Sequence, residues 1–94
     1  MKKVIIACGS GVATSTLIAS KVGEVLEKHG IQARIVQCSV GEVDGHIEGA
    51  DLVVTSVGRL EVKGDVPIVL GLSYLTGMGT EVTDAEIARV LLET

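Results

Sequence analysis

The chain has 94 residues, of which 47% are hydrophobic and only one is aromatic, and it carries a formal net charge of −4 at pH 7. This length allows a single domain, residues 1–94, and the apolar content suffices for an aliphatic core and is too high for a disordered chain. The acidic balance argues against a nucleic-acid partner, because phosphate backbones reward clustered lysine and arginine. No apolar run approaches the roughly 20 residues of a membrane span. We therefore expect a cytoplasmic chain that does not span the membrane and whose two cysteines form no structural disulfide.

The first third of the sequence predicts a strand, a helix and a second strand. A continuous apolar run at residues 4–7 is typical of a strand buried on both faces of a parallel sheet. From about Thr14 onward, apolar residues recur at helical spacing, and Gly30 supplies the stop. Residues 33–38 predict the second strand.

The middle of the sequence predicts a short helix and two further strands. Ser39 and Glu42 have the spacing of a capping box, so Ser39 is interpreted as a helix cap and a short helix is predicted over residues 40–47. Residues 52–55 predict the third strand. Residues 67–70 predict the fourth, with proline at its first position, where a strand tolerates it.

Two connections and a final helix complete the pattern. Residues 58–65 form a polar stretch long enough to be a working loop, and residues 71–79 form a glycine-rich connection. Thr83 and Glu86 have capping-box spacing, which predicts that the last helix begins at Thr83. The order β-α-β-α-β, loop, β-α predicts an α/β fold in three layers, with a four-stranded parallel sheet, right-handed crossovers and helices on both faces.

A cysteine stands where the first predicted strand ends, at the edge of the sheet where ligands of such folds bind. Glycines after Cys8 let the backbone aim several N–H groups inward, the next helix points its positive end at the same place, and hydroxyls add donors. The segment that would form this cradle consists of Gly9, Ser10, Gly11, Val12, Ala13, Thr14 and Ser15. The same field lowers the pKa of a thiol and populates the nucleophilic thiolate. The pattern therefore predicts that Cys8 takes up a phosphoryl group.

Three similar loops differ from this one at identifiable positions. A Walker loop needs a lysine, and none occurs between Lys3 and Lys21. The dinucleotide fingerprint needs a third glycine where this chain has Thr14. A small cysteine phosphatase of the C-x5-R type needs arginine at that same position, to clamp the phosphoryl oxygens in the transition state. Without it a phosphocysteine would form and hydrolyse slowly, which suits a carrier.

The residues CGSGVATS at positions 8–15 and GDVPIVLGLSYLTGMGTE at positions 64–81 resemble the IIB components of the bacterial phosphoenolpyruvate-dependent sugar phosphotransferase system (PTS). The resemblance is to the galactitol-type group and covers nearly the whole chain, although lactose/cellobiose-type and ascorbate-type IIB proteins have related cysteine loops. The predicted fold is then flavodoxin-like or Rossmann-like, with a P-loop after the first strand like that of low-molecular-weight phosphatases.

The resemblance implies an enzyme, a phosphotransferase subunit. A phosphohistidine on a IIA component would donate its phosphoryl group to Cys8. Phospho-Cys8 would pass it to a sugar or sugar alcohol, galactitol by the group resembled, that is bound by the membrane IIC component. Residues 9–15 would hold the phosphate, and we expect neither a cofactor nor a metal. Two alternatives stay open: a small cysteine-dependent phosphatase or arsenate-reductase-like enzyme, and a non-catalytic module that binds an anion.

Several other residues have both a functional and a structural interpretation. Cys38 is either a resolving thiol or a small apolar strand residue, and Arg59 either touches the phosphate or is a solvated loop residue. Tyr74 is either a partner contact or a half-buried core residue. We expect His29 and His46 to be solvated, since neither has a second ligand at zinc spacing.

One further acid bears on the phosphatase alternative. Asp65 could supply the general acid that a phosphatase needs. In its Gly-Asp context, a turn residue is the expected role.

Overall fold

A computed structural model of the chain describes residues 2–8, 12–56 and 66–93, with Cys8 and residues 12–15 described by their backbone. Four strands and four helices are found in these ranges. In chain order they are β1 (Lys2–Cys8), α1 (Val12–Lys28), β2 (Ala33–Ser39), a 3₁₀ turn (Val40–Glu42), α2 (Val43–His46), β3 (Leu52–Thr55), β4 (Ile68–Leu70), α3 (Ser73–Thr76) and α4 (Thr80–Glu93).

The four strands form one parallel sheet in the order β2-β1-β3-β4. In the register, Val4 of β1 lies between Ile35 of β2 and Leu52 of β3. The predicted α/β fold with a four-stranded parallel sheet is therefore confirmed. Each predicted strand is present, with ends that differ by at most two residues.

The core lies on both faces of this sheet, as the continuous apolar run in β1 predicts. Val4 and Ile6 pack with α1, α3 and α4 in the larger cluster, whereas Ile5 and Ala7 pack with Val43 of α2 in the smaller one. All five side chains are at most 1% exposed. Burying an aliphatic side chain of valine or isoleucine size contributes about 1.5–3 kcal/mol, so β1 is anchored from both sides.

The predicted start of the last helix is wrong. Helix α4 begins at Thr80. It directly follows Gly79, whose φ of 74° lies in the left-handed region and is not helical. Thr83 lies inside the first turn of α4 and is 8% exposed. Its hydroxyl lies 2.6 Å from the hydroxyl of Ser73 in α3, so it joins two helices and does not cap one.

Two of the glycine-containing regions also differ from prediction. The helix expected over residues 40–47 is a 3₁₀ turn followed by the single turn α2, because glycine weakens helix propagation inside it. The connection at residues 71–79 contains α3, which sequence reasoning missed. Gly77 ends α3 in the left-handed conformation (φ 78°) and donates its N–H to the carbonyl oxygen of Ser73 at 2.8 Å. The polar loop predicted at residues 58–65 lies outside the described residues.

Candidate functional site

Cys8 is the last residue of β1, and β1 lies in the middle of the sheet. The register pairs Cys8 with Ser39, and the neighbouring Ala7 with Thr55, so three strand ends meet at this edge. The chain moves from β1 to one side for β2 and to the other side for β3, which makes this the topological switch point of the sheet. Ligands of open α/β sheets bind in the crevice at such a point.

Helix α1 begins only four residues after Cys8, at Val12. The predicted cradle residues 12–15 therefore belong to the first turn of α1, and the helix starts earlier than the predicted Thr14. The first N–H groups of an α-helix have no partner within the helix, and its first turn carries partial positive charge. No acidic residue occurs in the first turn of α1 to neutralise that charge. Both properties favour a bound anion beside the end of β1.

The other cradle residues predicted from the sequence fall outside the part of the chain that the structure describes. Gly9, Ser10 and Gly11 lie outside the described residues, as do Arg59 and Asp65. The first described side chain of α1 is that of Thr16, whose Oγ1 lies 3.3 Å from Oε1 of Gln37 in β2 and donates a hydrogen bond to it. This contact fastens the start of α1 to the sheet, and sequence reasoning missed it because the two residues are 21 positions apart.

Gly71 holds the end of β4 against the end of β3. Its N–H donates a hydrogen bond of 2.6 Å to the carbonyl oxygen of Thr55. A Cβ atom at this position would lie 2.8 Å from Cγ1 of Val54 and 3.4 Å from Cγ2 of Ile18. The close approach explains why glycine follows β4, and it places the chain near the same carboxyl edge as Cys8.

Ser39 and Glu42 form the predicted capping box at the end of β2. The N–H and the hydroxyl of Ser39 both donate to Oε1 of Glu42, at 3.1 and 2.9 Å. These two hydrogen bonds hold the pKa of Glu42 below its usual value, the one from the N–H contributing more than the one from the hydroxyl. The charge of His46 lowers this pKa further. An ionised carboxylate therefore lies beside the strand end that pairs with Cys8.

Cys38 and Tyr74 both pack in the core. Cys38 pairs with Ala7, is half-buried and packs against the smaller core cluster, as expected of a small strand residue. Tyr74 is 6% exposed in the larger cluster, and its hydroxyl donates a hydrogen bond to Asp84 of α4. Burial raises the pKa of Tyr74 above its usual value, and the hydrogen bond and charge of Asp84 add to the shift. These contacts favour the structural interpretation of both residues.

Among the described residues, neither histidine lies in a cluster of possible metal ligands. His29 and His46 are exposed, as predicted. Within residues 2–8, 12–56 and 66–93, no group of three His, Cys, Asp or Glu side chains is placed to hold a metal ion. In the same ranges, no helix has both the length and the apolar character needed to cross a membrane.

Residues 3–85 match the family model described as "PTS system, Lactose/Cellobiose specific IIB subunit". The chain is 34% identical over 90 residues to the galactitol-specific EIIB component of the PTS of Escherichia coli (strain K12), with 96% of each chain covered. It is 38% identical over 93 residues to SgcB of the same strain, which carries a provisional name as a phosphotransferase enzyme IIB component; 99% of this chain and all of SgcB are covered. It is 26% identical over 91 residues to an ascorbate-specific EIIB component of Escherichia coli O157:H7, covering 97% of this chain and 86% of the relative. The chain thus belongs to the PTS IIB family, whose members are phosphotransferase components.

Proposed function

We propose that the chain is a phosphoryl carrier in which the thiolate of Cys8 accepts a phosphoryl group from a phosphohistidine of a IIA component. Phospho-Cys8 then passes the group to a sugar or sugar alcohol bound by a membrane IIC component, so that uptake and phosphorylation are coupled. The observation that carries this proposal is the position of Cys8: it ends an inner strand at the switch point, beside the positive end of α1, whose first turn contains no acidic residue.

The chemistry requires little from the protein beyond position and charge. The Cys8 sulfur attacks phosphorus in line as the phosphorus–nitrogen bond to the donor histidine breaks, and the histidine leaves with that electron pair. In the second step the acceptor hydroxyl oxygen attacks the same phosphorus and gives up its proton to water, while the sulfur–phosphorus bond breaks and the thiolate leaves with that electron pair. Both steps depend on aligning the groups and on stabilising charge on the phosphoryl oxygens. Residues 9–15 supply that cradle in the proposal, which is consistent with the helical start at Val12.

Galactitol is the substrate that we propose, acting through a galactitol-type IIC partner. Two comparisons support it: the galactitol-specific relative is 34% identical to this chain, whereas the ascorbate-specific relative is 26% identical. The matched family model carries a third description, lactose and cellobiose. The donor and acceptor should therefore be identified by direct comparison of the three types. A carrier of this kind works in the cytoplasm, the location expected from the sequence.

The proposal is tested with phosphoenolpyruvate, the general phosphotransferase proteins and one IIA component at a time. We expect the intact mass of the chain to rise by one phosphoryl group, and to rise fastest with a galactitol-type IIA. Faster phosphorylation by a lactose/cellobiose-type or ascorbate-type IIA would reassign the sugar and leave the carrier role intact. If none of the three charged donors modifies the chain, the carrier role is wrong.

A further inference from the structure

The capping box places a carboxylate close to Cys8. The register pairs Cys8 with Ser39, and Oε1 of Glu42 lies 3.1 Å from the main-chain nitrogen of Ser39. Neighbouring strands are about 4.8 Å apart, so that oxygen is within roughly 10 Å of the Cys8 backbone. Two hydrogen bonds from Ser39 fix the carboxylate there.

The carboxylate is ionised at neutral pH, since the hydrogen bonds from Ser39 lower the pKa of Glu42. Among the described residues, the charge of His46 in α2 also lowers this pKa. The charge of Glu42 opposes the positive end of α1 across the end of β1. A nearby carboxylate raises the free energy of an anion, whereas the positive end of a helix lowers it.

We propose that Glu42 destabilises the anionic states of Cys8, the thiolate and the phosphocysteine alike, and so favours onward transfer of the phosphoryl group. The second half of this proposal rests on the proposed carrier function. For two unit charges about 10 Å apart in water, the interaction changes the equilibrium of a thiolate by roughly two-fold. The effect on a phosphoryl group is larger, roughly two- to four-fold, because that group carries nearly two charges.

Glu42→Gln removes the charge and keeps an oxygen that can accept both hydrogen bonds of Ser39. Glu48→Gln is the matched control, because Glu48 is also exposed and the substitution changes net charge equally. The carbonyl oxygen of Glu48 accepts a hydrogen bond from Nζ of Lys3, near the start of β1. That is about five residues, or roughly 17 Å, along the strand from Cys8.

The first readout is the pKa of the Cys8 thiol, measured by the pH dependence of alkylation with peptide-level mass detection, which separates Cys8 from Cys38. We expect Glu42→Gln to lower this pKa by about 0.3, which is a two-fold change. The shift should shrink in about 0.5 M salt, where the Debye length is only a few ångströms. A purely structural role would not depend on salt in this way. No shift, or an equal shift in Glu48→Gln, would overturn the proposal.

The second readout is the ratio of phosphorylated to unphosphorylated chain at equilibrium with a charged IIA. We expect Glu42→Gln to raise this ratio by roughly two- to four-fold, and Glu48→Gln to leave it unchanged. If the thiol pKa shifts and the ratio does not, the contribution to onward transfer is wrong. If the thiol pKa shifts and the parent chain is never phosphorylated, the carrier role is wrong and the action of Glu42 on the thiolate stands.

Discussion

The N–H of Gly71 donates a hydrogen bond of 2.6 Å to the carbonyl oxygen of Thr55, which joins the ends of β4 and β3. The space that a side chain would need at Gly71 is filled, since a Cβ atom there would lie 2.8 Å from Cγ1 of Val54. Val54 is fully buried within the larger core cluster, so moving it would disturb the packing of its neighbours. The distance between the ends of β3 and β4 therefore leaves no room for a side chain at Gly71.

Gly71→Ala should destabilise the protein by about 1–3 kcal/mol, because the added methyl overpacks a filled core. Urea unfolding of the variant and the parent measures this difference. The matched control is Gly23→Ala in α1, where nothing lies within 4 Å of an added Cβ. That substitution should stabilise the protein by about 0.5–1 kcal/mol, since alanine is the better helix former. Equal effects of the two substitutions would contradict the close packing at Gly71.

Tyr74→Phe should cost about 1 kcal/mol at neutral pH, because it removes the hydroxyl that donates to the partly buried Asp84. The measurement is the free energy of unfolding of both proteins. A loss near zero would mean that solvent replaces the hydrogen bond, and the assignment of Tyr74 to the core would then rest on its ring alone.

The same tyrosine predicts a pH dependence. Burial raises the pKa of Tyr74 in the folded protein, so the folded state holds the phenolic proton to higher pH than the unfolded chain, whose pKa is about 10. This contribution is complete below pH 10 and is lost as the pH rises further. We expect the stability advantage over Tyr74→Phe to shrink above pH 10. Tyr74 is the only tyrosine, so tyrosinate absorbance follows it directly, and ionisation near pH 10 in the folded protein would contradict the prediction.

A phosphatase assay separates the carrier from the enzyme that shares its loop. Thr14 stands where a small cysteine phosphatase needs arginine, so hydrolysis of a phosphocysteine should be slow. We expect no turnover of p-nitrophenyl phosphate above that of Cys8→Ala. Turnover that depends on Cys8 would favour the phosphatase alternative.

Much of the fold follows from apolar patterning alone. The run at residues 4–7 predicted a strand buried on both faces. The glycine stop at Gly30 was also predicted: α1 ends at Lys28, and Gly30 follows it with a φ of 66°. The start of α4 could not be read in the same way. Thr83 has the sequence of a cap, but tertiary contact with Ser73 decides the role of its hydroxyl.

The candidate site was predictable only in part. The apolar run of β1 predicted the position of Cys8, because a residue that directly follows a buried strand lies at the edge of the sheet. The proximity of Glu42 depends on the register between β1 and β2, which pairs Cys8 with Ser39. The local sequence predicts the capping box, but it does not show which strand pairs with the residues of that box. Gly71 was seen only as part of a glycine-rich connection, because its need for space depends on Val54, 17 positions away.

The central claim is that the phosphoryl group is carried by the sulfur of Cys8. The most direct test is peptide-level mass localisation after phosphorylation by the IIA component that works best, applied to the parent, Cys8→Ala, Cys8→Ser and Cys38→Ala. The account predicts one phosphoryl group on the peptide containing Cys8, present in the parent and in Cys38→Ala and absent from both Cys8 variants. Undiminished phosphorylation of Cys8→Ser or Cys8→Ala would contradict it.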